Sequence, residues 1–406
     1  MAPKARQAKG KARLNSYEAL LNEDQKEREA KLEIFIPNGP RLGNKVIEAK
    51  HVAKAFGDKL LFDDLNFMLP PNGIVGIIGP NGAGKSTILK SIARQLSLIA
   101  GTVRLDGEDM KSLTGAELSK KMAVVMTKRL RGELMTCEDV VATGRYPYTG
   151  RFGVLRAEDH AAVQNAMELV QVAEIGDSLF DRISDGQRQR VMLARAICQE
   201  PEVIILDEPT SFLDIRHKLE LLAILRRMAK EKGITVIMSL HEIDLAQKIS
   251  DKIICVKGDA ISHFGAPETI FREDIIRELY EIDNGSFDPC FGSIELPRPE
   301  GTPRVFVLAG GGTGIPVFRK LQKENVPFAA GVLYTNDIDY QLARILAMET
   351  VTEAPFQEIS DEAFARACEL MKSCERVIDT GVPVGMCNRR IEELRAEAKR
   401  LGKLAE

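Results

Sequence analysis

The chain has 406 residues, enough for about two or three domains with separate cores. Its 44% hydrophobic and 28% charged residues are the balance of an ordinary soluble globular protein, and a formal charge of −3 gives no reason to expect a nucleic-acid partner for the chain as a whole. No apolar run reaches about 18 residues and no signal-peptide core opens the chain, so a membrane span and secretion are not expected. The seven cysteines are scattered without metal-type spacing, as in a reduced, cytosolic protein.

In chain order, the first segment carries Lys4, Arg6, Lys9, Lys11 and Arg13 with no acid among them. We expect a solvated basic end, with contact to RNA or a membrane surface as the alternative. Residues 14–33 are charged and helix-prone, with Tyr17, Leu20, Leu21 and Leu32 as a thin apolar face, before Pro37 and Pro40 break the pattern. Residues 1–45 thus read as a basic tail and a helical, linker-like segment. A β-rich module begins at Val46, where Val46–Ala49 and Leu65–Met68 alternate like strands.

The apolar run Gly73–Ile78 reads as a buried strand and leads into Gly79-Pro80-Asn81-Gly82-Ala83-Gly84-Lys85-Ser86-Thr87, a full G-x-x-x-x-G-K-[ST] phosphate loop, before the helical pattern Ile88–Ala93. Its glycines let backbone N–H groups converge on phosphate oxygens, and the helix N-terminus adds a favourable dipole. Lys85 is placed to neutralise β- and γ-phosphate charge, and Ser86 to ligate Mg²⁺. Helices and strands alternate from there on, with Val203–Leu206 and Thr235–Met238 as further buried strands. A Pro- and Gly-rich stretch, 286–303, reads as a linker. A fresh strand, Arg304–Ala309, then opens a smaller α/β domain, 304–406, with further strands at 329–334 and 376–379.

Asp207-Glu208 ends the strand Val203–Leu206, where a Mg²⁺ ligand and a water-activating base belong in phosphate-loop folds. Upstream, Ser184-Asp185-Gly186-Gln187 offers hydroxyl and backbone donors at a helix start. His241 follows the strand Thr235–Met238, within reach of a γ-phosphate.

This order resembles the nucleotide-binding domain of ATP-binding-cassette (ABC) proteins over residues 46–285. The resemblance implies an α/β P-loop NTPase fold: a RecA-like core, an antiparallel β-subdomain and an α-helical subdomain, followed here by the small C-terminal α/β domain. It implies that Gly79 to Thr87 is the Walker A loop, that Asp207 holds Mg²⁺ with Ser86, and that Glu208 is the catalytic base. Ser184 to Gln187 is similar to the signature sequence, with Asp185 where Gly is usual. Ser211-Phe212-Leu213-Asp214 resembles the D-loop, His241 the switch histidine, and Phe56 the ring that stacks on adenine. Because the signature of one cassette serves ATP held by another, the resemblance implies a head-to-tail dimer. At the Q-loop position the family's Gln is replaced by Thr127 or Lys128, and a lysine has no acceptor for a metal.

From Ile88 onward the chain resembles ATPase subunits of importers for iron–siderophores, haem and cobalamin. Leu105–Asp109, Met135–Val141 and Ala142–Tyr148 carry the likeness, with Gly144–Pro147 expected to face the permease. It implies ATP and Mg²⁺ as cofactors, membrane permease subunits and an extracytoplasmic binding protein as partners, and a peripheral place on the cytoplasmic face of the membrane. Residues 11–87 resemble instead the ABC-F class of ribosome-binding translation factors, which brings the ribosome in as the alternative partner. The likenesses meet at the phosphate loop that both families share, so the chain reads as a fusion or composite. A cassette that binds ATP without a productive partner is the third reading.

Two weaker signals remain. Gly310-Gly311-Gly312-Thr313-Gly314 reads as a structural turn, the alternative being a phosphate cradle with Asp337 or Asp339 nearby. Cys368, Cys374 and Cys387 read as buried or idle thiols, the alternative being an iron-sensing cluster.

Overall fold

The apolar alternation after residue 45 produces two long strands, β1 (Ile47–Phe56) and β2 (Lys59–Leu69), paired antiparallel. They belong to a computed structural model that describes residues 46–56, 59–126, 134–150, 153–211, 213–258 and 260–405. The basic tail, the helical segment, Thr127 and Lys128 lie outside the described residues. β1 also pairs with β4 (Ala100–Leu105), and β4 with the short β5 (Glu108–Asp109), which completes an antiparallel sheet in the order β2-β1-β4-β5.

The fully apolar runs go elsewhere. β3 (Ile74–Ile78), β7 (Val203–Leu206) and β8 (Thr235–Ser239) are buried along their whole length, the pattern of parallel strands covered on both faces. With β6 (Met122–Val125), β9 (Lys252–Lys257) and β10 (Ala260–Gly265) they form a six-stranded sheet ordered β10-β9-β3-β8-β7-β6. Its neighbours are parallel except β10 on β9. The ends of β3, β7 and β8 therefore lie side by side, which is where ligands bind in open α/β sheets.

The helices Cys137–Ala142, Ala157–Leu169 and Asp185–Cys198 share one core through Val141, Val163, Phe180 and Leu193. Arg145, in the segment expected to face a permease, turns inward instead. It is buried, donates to Asp159 at 2.8 Å and Glu200 at 2.7 Å, and lies over the Tyr148 ring. A buried guanidinium needs this pairing, because an uncompensated charge in the core costs several kcal/mol or more (~3–5). Tyr146 of the same segment is exposed.

The stretch read as a linker contains an ordered ribbon, β11 (Ser286–Asp288) with β12 (Ser293–Glu295). Its physical cause is Phe287, fully buried against Phe271 in the cassette core. Proline and glycine in the sequence outweighed this single aromatic anchor. Beyond it, β13 (Val305–Leu308), β14 (Phe328–Tyr334), β15 (Glu349–Glu353) and β16 (Arg376–Asp379) make an all-parallel sheet ordered β15-β14-β13-β16. Separate apolar cores form about it, one containing Phe318 stacked on Phe328 at 5.3 Å, the other containing Leu370, Val377 and Leu394.

Candidate active site

The loop Gly79–Gly84 leaves the end of β3 and runs into the helix Lys85–Ile92. Gly79, Gly82 and Gly84 have φ of 151°, 82° and 94°, a backbone path that residues with a Cβ rarely take. At Gly79 the constraint is doubled, since a Cβ would lie 2.1 Å from the Val256 carbonyl oxygen of β9. Lys85 is 5% exposed, and its Nζ donates to the carbonyls of Gly79 at 2.6 Å and Pro80 at 2.9 Å. Burial pushes its pKa down, while the charges of Glu208 and Asp207 oppose that shift.

The strand ends then bring the acids to the loop. Ser86 Oγ donates to Asp207 Oδ1 at 2.9 Å, so a hydroxyl and a carboxylate from different ends of the sheet share one point. These are hard oxygen donors, the kind that Mg²⁺ takes together with phosphate oxygens, and they fit the metal on that chemistry. Glu208 comes next, with φ 51°, and its Oε1 lies 2.5 Å from His241 Nε2. Ser211 Oγ donates to its other oxygen at 3.3 Å. Lys85, Ser86, Asp207, Glu208 and His241, drawn from widely separated parts of the sequence, thus converge at the ends of β3, β7 and β8.

The remaining site candidates sit differently. Ser184 caps the helix Asp185–Cys198 in a capping box: its Oγ accepts from Gln187 N–H at 3.2 Å, and Gln187 Oε1 accepts from Ser184 N–H at 3.0 Å. Asp185, the departure from the usual glycine, is exposed and pairs with Arg188 at 2.5 Å. A Cβ on Gly186 would meet Leu213 at 3.5 Å, so this helix start abuts the segment after Glu208. Asp214 caps the helix Ile215–Lys232 and accepts from His217 N–H at 2.9 Å, which holds its carboxyl below the usual carboxylate range. The recorded side-chain bonds of these residues are local and do not reach the phosphate loop. Phe56 closes β1, and its side chain lies outside what is described; so does Phe212.

Several groups at the site escaped the sequence. Ser239, the last residue of β8, donates to Asp207 Oδ1 at 2.8 Å and accepts from the Glu208 N–H at 2.8 Å. A hydroxyl closing the otherwise apolar run Val236-Ile237-Met238 was the available signal. Glu242, beside His241, accepts from Thr210 Oγ1 at 2.8 Å and from Lys218 Nζ at 2.6 Å. Burial raises the pKa of its carboxyl, but Lys218 and Thr210 outweigh burial and hold it low. This tie joins the histidine segment to the helix that Asp214 caps. A cleft of about 840 Å³ opens beside Ser86 and Asp207, walled by Met122, Met126, Arg195 and Gln199.

The C-terminal glycine loop is not a phosphate cradle of the same kind. Gly311 N–H donates to Asp337 at 2.7 Å, and Gly314 and Ile315 N–H donate to the fully buried Asp339 at 3.0 and 3.2 Å. Internal carboxylates occupy the donors that a phosphate would use. Among the described residues no group of three or more His, Cys, Asp or Glu side chains is placed to hold a metal. Cys374 directs its thiol to Pro303 O at 3.5 Å and Cys387 to Phe356 O at 3.5 Å, while Cys368 is half-buried. Also among the described residues, no helix is long and apolar enough to cross a membrane.

Comparison with known proteins agrees with this geometry. The ABC transporter family matches residues 62–211, and a second family, MJ0874, matches residues 328–405. The uncharacterized ABC transporter ATP-binding protein MJ0873 of Methanocaldococcus jannaschii is 40% identical over 71% of this chain and 100% of its own length. The cobalamin import ATP-binding protein BtuD of Halobacterium salinarum is 33% identical over 81% of this chain and 83% of its own. The iron(3+)-hydroxamate import ATP-binding protein FhuC of Bacillus subtilis is 34% identical over 58% and 88%. Among solved structures, cbiO1 of Clostridium perfringens superposes with a TM-score of 0.51 at 23% identity over 59% of this chain and 95% of its own, a likeness of fold. With a phosphate loop, a strand-end acid pair and relatives matched over nearly their whole length, the chain belongs to the ATP-binding-cassette family of ABC transporter ATPases.

Proposed function

We propose that the chain is the ATPase subunit of an importer for a metal chelate of the iron–siderophore, haem or cobalamin kind, held at the cytoplasmic face of the membrane by permease subunits that an extracytoplasmic binding protein loads. The observation that carries the catalytic part is the convergence of Lys85, Ser86, Asp207, Glu208 and His241 at adjoining strand ends. Import is supported by the names of relatives matched over most of their length, for cobalamin and for iron(3+)-hydroxamate.

In this reading Phe56 stacks on adenine, and the backbone of Gly79-Pro80-Asn81-Gly82-Ala83-Gly84 with Thr87 wraps the phosphates. Lys85 exchanges its bonds to Gly79 and Pro80 carbonyls for phosphate oxygens. Ser86 and Asp207 hold Mg²⁺, which neutralises charge on the phosphates. Glu208 takes a proton from water whose oxygen attacks the γ-phosphorus; the bond to the bridging oxygen breaks and ADP leaves. His241, poised on Glu208, contacts the γ-phosphate and reports its presence. Ser184, Asp185, Gly186, Gln187 and Asp214 serve the ATP of a second copy, which accounts for their separation from their own phosphate loop. ATP binding closes the dimer and moves the permease; hydrolysis resets it.

Glu208→Gln tests both halves. It is expected to bind ATP normally, lose roughly 100-fold or more in turnover, and accumulate as an ATP-loaded dimer. Sedimentation with membranes only when the permease is present supports import. Recovery with ribosomes, lost on adding salt, overturns it in favour of a translation-factor role.

A further inference from the structure

We infer that Ser239 is a positioning residue of the ATP site, one hydroxyl that fixes the Asp207 carboxylate and the Glu208 backbone together. The inference rests on the metal and base roles proposed for Asp207 and Glu208. Ser239 is fully buried at the end of β8, the strand beside β7 in the sheet, with Met238 in register with Leu206. It has no exposed surface with which to touch nucleotide, so it acts through its neighbours.

The geometry uses the whole capacity of the group. A hydroxyl has one proton to give and lone pairs to accept with. Ser239 gives its proton to Asp207 Oδ1 at 2.8 Å and accepts the Glu208 N–H at 2.8 Å. Neither bond is replaceable by solvent, because the residue is fully buried.

Each bond answers a specific need. Glu208 has φ 51°, in the left-handed region that an L side chain holds only where its surroundings over-determine it. The bond from Ser239 to the Glu208 N–H supplies that restraint at the residue itself, and the resulting turn sends the carboxylate to His241. Asp207 Oδ1 also accepts from Ser86 Oγ at 2.9 Å, a bond that must rearrange when the Ser86 oxygen becomes a metal ligand. The Ser239 bond has no such second duty, so it is the contact that keeps Asp207 aimed while Ser86 changes partner.

The test compares Ser239→Ala and Ser239→Thr in the full chain, with Glu208→Gln in parallel. Binding of a fluorescent, non-hydrolysed ATP analogue is measured in EDTA and through a Mg²⁺ titration, beside steady-state turnover. For Ser239→Ala we expect metal-free binding within about twofold of wild type, a Mg²⁺ midpoint raised roughly tenfold, and kcat lowered roughly tenfold to a hundredfold, the scale of one lost bond to a charged group. Ser239→Thr, which keeps the hydroxyl, is expected to restore both. Three results would overturn the inference: a Mg²⁺ midpoint and kcat unchanged in Ser239→Ala, loss of metal-free binding along with them, or a Ser239→Thr as defective as the alanine. Glu208→Gln separates the two levels. If it turns over at the wild-type rate, the role of Glu208 fails by itself, and the Mg²⁺ titration still decides whether Ser239 positions Asp207.

Discussion

The chain builds the strand–glycine loop–helix unit twice, and the two copies are put to opposite uses. In the first, Gly79 to Gly84 bends over β9 and leads into a helix whose first turn holds Lys85 and no acid. Its lysine satisfies only the loop's own carbonyls, an arrangement ready to be exchanged for phosphate. In the second, Gly310 to Gly314 follows β13 in the same way, but Asp337 and Asp339 fill the N–H groups from within. Burial raises the carboxyl pKa of Asp339 and the nearby Asp337 adds to that, while the loop N–H groups draw it back. Gly314 is present for packing, since a Cβ there would fall 2.6 Å from both Ala309 and Phe318. Glycine spacing therefore sets a loop's shape, and the charge of what faces it sets whether an anion is admitted.

The largest effect that would break this contrast lies in the first loop. Lys85→Ala should weaken ATP binding by roughly 100-fold or more, because it removes charge-assisted bonds to phosphate, and should leave hydrogen exchange in β13–β16 unchanged. Equilibrium titration with ATP measures it; undiminished affinity would remove the difference between the loops. A smaller effect belongs to the second loop. Asp339→Asn is expected to cost about 1–3 kcal/mol of local stability, since an amide oxygen cannot replace both carboxylate oxygens. Exchange protection of residues 305–379 should fall while ATP affinity stays as it was. A variant that lost ATP affinity instead would show the second loop serving the first.

The smallest effect is a pH dependence away from both loops. The Arg156 N–H, then the Arg145 guanidinium, hold the Asp159 carboxyl below its usual range despite burial. A depressed folded pKa stabilises the native state fully above the unfolded value of about 3.9, and that stabilisation is lost as pH falls through the folded value. The helices around Arg145 should therefore open first on acidification below about pH 4, by hydrogen exchange, with Asp159→Asn flattening the acid limb. An acid profile identical in the two proteins would assign the transition to other carboxylates.

The sequence carried the cassette well because its informative features are local. A phosphate loop needs its glycines and lysine at fixed spacing, and buried parallel strands such as Val203–Leu206 need continuous apolar residues. Lys85, Ser86, Asp207, Glu208 and His241 were legible for that reason. The inward turn of Arg145 was not, because its partners Asp159 and Glu200 come from other helices. Nor was the anchoring of 286–295, which depends on one phenylalanine reaching a distant core.

By itself, then, the amino-acid sequence determined that this chain has an ATP loop, an acid pair and a histidine to serve it, and alternating strands and helices to carry them. Only the tertiary structure decided which buried hydroxyl holds the acids, and which glycine loop is open to phosphate. The physical reason is range: backbone conformation and apolar period are written over neighbouring residues, whereas a hydrogen bond such as Ser239 to Asp207 exists only once the sheet has brought their strands together.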